Sequence, residues 1–177
     1  MFDITIIGPW AWLIPAFTAL AFVIIVTMNA FGRGGRPAAW VAVAGIFGSM
    51  IVGLAVFLAA WAKGGELMHH PFVWSGPWLP MGESTLDIGI QIDPLSATMV
   101  AMVTVVCSMI FIFSVAYMEG ELTAYKHPVT GEIDRGTGET RYGRFFAYIS
   151  LFATGMLGFV LSSNLLEAMV FWEIMGL

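Results

Sequence analysis

Long apolar runs constrain this chain more than any other feature. The first extends from Trp10 to about Asn29 and the second from Ala38 to Trp61. Each meets the ~20 residues needed to cross ~30 Å of hydrocarbon at ~1.5 Å per residue. A backbone in hydrocarbon has to satisfy its own N–H and C=O groups, so each run is expected to be a spanning helix. Pro15 lies inside the first run and is expected to kink it, which membrane helices tolerate. A third run, Leu95 to Tyr117, follows Asp93-Pro94. Asp is a favoured N-cap and Pro a favoured first helical residue, so this pair marks a helix start. A fourth run covers about Phe145 to Leu161, and a Ser162-Ser163-Asn164 turn leads into a fifth apolar segment ending at Leu177, too short to cross.

Composition agrees with a lipid environment. Hydrophobic residues make up 59% of the 177 and charged residues 11%, with a mean hydropathy of +0.86, well away from soluble globular domains. The 12 Met, 14 Phe and 7 Trp suit lipid-facing and helix-packing surfaces, with Trp mostly near the span ends. The formal charge of −5 sits in loops, and no basic patch suggests a nucleic-acid partner. A lone Cys107 within an apolar run reads as a small buried hydrophobe; one thiol builds neither an internal disulfide nor a metal cluster. Met1 to Pro9 lacks the basic residues of a signal-peptide start, so the first run is expected to stay in place as a span.

The expected architecture is an all-α polytopic membrane protein with about four full transmembrane helices, a truncated fifth, and a short extramembrane β-hairpin between helices 2 and 3. The hairpin is placed in Lys63 to Gln91, where Gly, Pro, His and acidic residues interrupt short apolar runs and Leu86 to Ile92 alternates with period two. The chain divides into residues 1–62 (two spans), 63–92 (outer loop and hairpin), 93–117 (third span), 118–143 (polar loop) and 144–177 (fourth span and start of the fifth). No internal repeat is visible. Six of the seven Lys and Arg fall after the first and third spans, so those loops are expected to face the cytoplasm, with the N-terminus and hairpin outside.

Glu173 is the most informative residue. Counted from Asn164 at the outer surface, its carboxylate lies roughly 13 to 15 Å deep, near the bilayer midplane. An ionisable group at that depth costs about 2.5 to 3.5 kcal/mol on insertion scales and by default marks an ion or proton path. A structural role, a hydrogen bond to a neighbouring helix, is the competing reading. Glu167 lies roughly 240° around the same helix and closer to the surface, so it reads as an interfacial or subunit-facing carboxylate rather than the partner of Glu173. His69 and His70 lack further ligands at metal-site spacing, and His127 reads as solvated. Asp93 reads as a helix cap and Arg144 as an anchor for the cytoplasmic end of the fourth span.

Ile92-Asp93-Pro94-Leu95-Ser96, Tyr117-Met118, Arg144-Phe145-Phe146-Ala147-Tyr148, Ser162-Ser163-Asn164-Leu165-Leu166 and Phe171-Trp172-Glu173 occur in this order. Together they resemble the N-terminal part of the largest antiporter-like subunit of proton-pumping NADH:quinone oxidoreductase, complex I: subunit L in bacterial naming, chain 5 in mitochondria. The resemblance is strong from Ile92 to Leu177. It implies that Glu173 is the key carboxylate of the fifth helix, paired with a lysine on a later helix, with Trp172, Arg144, Asp93 and Asn164 in support. It also implies no cofactor in this chain, flavin and iron-sulfur clusters in partner subunits, and contacts with other complex I membrane subunits, a neighbouring antiporter-like subunit above all, and with membrane lipid. A bacterial inner membrane is the expected location. The stretch Lys126 to Thr140 departs from the family as an added surface hairpin. Relatives carry well over a dozen helices, so the chain is expected to be either a portion of such a subunit or a split piece completed by a second chain. A subunit of a multisubunit cation/proton antiporter and an assembly subunit without transport stay open at this point.

Overall fold

In the computed structural model, residues 4–32, 34–82, 84–119, 125–126, 133–134 and 138–176 are described. Arg33, His127 and Arg135 lie outside them, as does Leu177. Among the described residues there are seven α-helices and two antiparallel strand pairs. Helix α1 (Ile4–Ile7) and a 3-10 turn (Gly8–Trp10) lead into α2 (Leu13–Ala30), so the first span begins before Trp10 and counts from Ile4 to Ala30. The helix is interrupted at Gly8–Trp10, not at Pro15. Pro15 falls in the first turn of α2, where backbone N–H groups have no partner within the helix in any case.

Helix α3 (Arg36–Ala62) opens with a proline in its first turn, as a helix leaving a basic turn should. A six-residue helix, α4 (Gly64–His69), stands where the sequence suggests only loop. The expected hairpin then follows: β1 (Phe72–Met81) pairs antiparallel with β2 (Ser84–Ile92), the register running from Phe72 opposite Ile92 to Met81 opposite Ser84. The register slips between Pro77 and Leu79, where a proline has no N–H to give the ladder. Burial along β2 is not strictly alternating, because Ile90 and Ile92 are buried while Ile88 is exposed.

Helix α5 (Pro94–Tyr117) begins at a capping box. Ser96 N–H donates to Asp93 Oδ1 at 2.6 Å and Asp93 N–H donates to Ser96 Oγ at 2.9 Å. The polar segment that follows contains a short ladder, β3 (Tyr125–Lys126) with β4 (Ile133–Asp134); most of the surface hairpin expected at Lys126 to Thr140 lies outside the described residues. Helix α6 (Gly138–Leu161) starts within the expected loop, and α7 (Leu165–Gly176) carries Glu173.

Among the described residues, four helices are long and apolar enough to cross a membrane. Helix α2 packs on α3 and α6, α3 on α5, and α6 on α7. Because lipid is as apolar as Leu, such helices associate through close packing of small residues and through interhelical hydrogen bonds. The buried faces accordingly carry Ala38, Ala39, Ala42, Ala59, Ala60 and Ala97. Ser49 of α3 donates to the Ile14 carbonyl of α2 at 2.6 Å, and the Thr18 and Thr154 hydroxyls meet at 2.9 Å between α2 and α6. Large apolar side chains such as Ile51, Met109 and Phe113 point outward, the inverse of a soluble core. Cys107 is buried, as its surroundings imply. An ion pair between Arg36 and Glu119 joins the start of α3 to the end of α5; the β1–β2 hairpin lies at the opposite ends of those two helices.

Candidate functional site

Helix α7 carries Glu173, and its position is set by two glycines of α6. A Cβ at Gly158 would lie 2.4 Å from the Phe171 ring, and one at Gly155 would lie 3.0 Å from both the Phe171 carbonyl and the Met175 nitrogen. Only a bare backbone admits so close an approach, the usual device for seating one membrane helix on another. Phe171, Ile174 and Met175 therefore face α6. Glu173 and Trp172 are exposed on the remaining surface of α7. Among the described residues nothing forms a hydrogen bond or ion pair with the Glu173 carboxylate. From Leu165, eight residues at ~1.5 Å put Glu173 about 12 Å along α7 from its hairpin end.

Asn164 caps α7: its Oδ1 accepts from Glu167 N–H at 2.9 Å. Asp93 caps α5 on the same side of the helices. Arg144 is exposed near the opposite end of α6, eleven residues or ~16 Å along the axis from the Gly155 level at which Glu173 sits. The structure thus gathers Trp172 and Glu173 on one helix, sets Asn164 at its hairpin end, and keeps Asp93 and Arg144 away from the carboxylate. His69 and His70 are exposed, and among the described residues no three His, Cys, Asp or Glu side chains converge as a metal site would require.

Glu167 has a role that sequence reasoning missed. Its Oε2 accepts from Gly89 N–H of β2 and from both the N–H and the hydroxyl of Ser163, each at 3.2 Å. It is half-buried between the hairpin and α7. The only sequence signal was Glu at the third position after an Asn cap, the pattern of a capping box; the contact to Gly89, 78 residues away, left no trace in it.

Comparison with known proteins agrees with the likeness read from the motifs. Residues 78–126 match the family described as NADH-Ubiquinone oxidoreductase (complex I), chain 5 N-terminus. The chain is 34% identical, over 95% of its length, to NAD(P)H-quinone oxidoreductase subunit 5, chloroplastic, of Chlorokybus atmophyticus, covering 23% of that protein. It is 33% identical over 97% of its length to the protein of the same name from Mesostigma viride, covering 24% of it. With that of Carpenteria californica it shares 38% identity over 61% of the chain, or 12% of the relative. The chain therefore spans about a quarter of the length of the first two relatives.

Proposed function

We propose that this integral membrane chain, similar to the N-terminal part of chain 5 of NADH-ubiquinone oxidoreductase, acts in a proton-translocating quinone oxidoreductase, with Glu173 as a carboxylate that takes up and releases protons. The observation that carries the reading is a single ionisable group about 12 Å along α7, held by the glycine seat on α6 and turned away from it. At that depth a lone carboxylate is expensive, so its place is a wet or paired interior once further protein covers that face. Burial raises a carboxyl pKa and an approaching cation lowers it, so a moving lysine would load and unload the proton.

The remaining residues take supporting parts. Trp172 shields the carboxylate from lipid on its own helix, Asn164 and Asp93 fix the outer ends of α7 and α5, and Arg144 anchors α6 at the cytoplasmic face. Electron transfer belongs to flavin and iron-sulfur partners, and this chain holds no redox group of its own. Its neighbours are other membrane subunits of the complex, an antiporter-like one among them, and lipid. The name shared by the compared relatives favours this reading over a cation/proton antiporter. The basic loops facing the cytoplasm and the hairpin facing outward follow from the Lys and Arg distribution in a bacterial cell membrane.

The test is Glu173→Gln in the membrane complex containing this chain, reconstituted in vesicles. The amide keeps the shape and removes the titration. NADH-driven proton transport is expected to fall at least ~10-fold, since a proton-transfer group contributes about 100-fold or more where it is essential. Unchanged proton transport per electron would refute the role.

A further inference from the structure

The outer edge of β2 is closed by the start of α7. Backbone groups of residues 87 and 89 point to the same strand edge, as a period of two requires. The Asp87 carbonyl accepts from Asn164 Nδ2 at 2.7 Å, and Gly89 N–H donates to Glu167 Oε2 at 3.2 Å. Ile90 and Ser162 add an isolated antiparallel bridge. Because the same Glu167 oxygen accepts from Ser163, one carboxylate joins the hairpin, the turn and the helix. Gly89 suits the place: a Cβ there would lie 2.6 Å from the Trp74 carbonyl and from Ser75 Cβ.

Beside the junction lies a cleft of about 190 Å³ whose lining includes Trp12, Trp74, Ile88, Glu167 and Phe171. The hairpin therefore rests on α7 through polar contacts at the rim of an incompletely filled space.

We propose that Glu167 is a positioning residue: its carboxylate fastens the hairpin to α7, so that a displacement of the hairpin by a neighbouring subunit is passed along the helix to Glu173. The contact with Gly155 and Gly158 serves as the fulcrum, and Glu173 stands six residues, or ~9 Å, from the latch. The second half of this proposal rests on the proton role given to Glu173; the first half does not.

Glu167→Ala and Glu167→Gln in the membrane complex separate the two. Hydrogen exchange is followed at residues 86–92 and 165–176. The Glu173 carboxyl infrared band, identified by its loss in Glu173→Gln, is titrated alongside. Glu167→Ala is expected to speed exchange in both segments ~10-fold, the loss of a charge-assisted hydrogen bond, and to move the Glu173 midpoint by about half a pH unit or more. Glu167→Gln, whose amide oxygen still accepts from Gly89, is expected to restore most of both. Faster exchange in the hairpin alone, with α7 and the Glu173 midpoint unmoved, would overturn the proposal, as would unchanged exchange in Glu167→Ala. If no Glu173 band titrates in the wild-type complex, the proton role fails instead, and coupled exchange of the two segments still decides the latch.

Discussion

The Thr18 and Thr154 hydroxyls meet in a buried layer between α2 and α6, at the depth where α6 also receives α7. Each has a second partner within its own helix, the Pro15 carbonyl at 3.0 Å for Thr18 and the Ser150 carbonyl at 2.8 Å for Thr154. Replacing one by Val therefore leaves the other hydroxyl its own carbonyl partner, and removes the interhelical bond together with the replaced residue's bond within its helix. Thr154→Val is expected to destabilise the assembled subunit by about 0.6 to 1.7 kcal/mol, the range for such bonds between membrane helices. A double-mutant cycle with Thr18→Val, read by thermal inactivation of the complex, should give a coupling of that size; strict additivity would show the pair to be incidental. What could be read from residues alone followed reach along the chain. Asp93 and Asn164 act on groups three residues away; Asp93 was legible as a cap, and Asn164 only as part of a turn. Glu167 acts on Gly89 across 78 residues and was legible only as an interfacial carboxylate.

Elements follow the same logic. The spans and the hairpin were visible because hydrophobic length and strand alternation are local. Helix α4 and the early start of α6 were not, since both lie in polar, glycine-containing sequence whose helicity depends on what packs against it. The seat of α7 was also hidden, because Gly155 and Gly158 look like any membrane-helix glycines until Phe171 is placed against them. Gly158→Ala puts a methyl 2.4 Å from that ring, and overpacking of this kind costs about 1 to 3 kcal/mol. Gly158→Ala combined with Phe171→Ala restores room and should recover part of the loss. Thermal inactivation of the complex with each variant checks this; a double variant no better than the sum of the singles would show that the ring is not the obstacle.

At the scale of the whole molecule, the fold and the charge distribution make one joint claim about sidedness. Helix α5 is 24 residues long, or ~36 Å, and separates the hairpin from the end that Glu119 shares with Arg36. Trp78 on the hairpin and Arg141 at the start of α6 are both exposed, so a cysteine at either is open to reagent. Cys107 is 6% exposed and should give little background. A membrane-impermeant maleimide is expected to label Trp78→Cys in right-side-out vesicles only and Arg141→Cys in inside-out vesicles only. Reversed labelling would keep the fold and invert the orientation, which would leave the positive charges on the outer face and set aside the argument from their distribution. Labelling of both from one side would contradict the helix arrangement itself. The same experiment decides on which side of the membrane the hairpin end of α7 lies, because Asn164 and Asp87 are joined at that end.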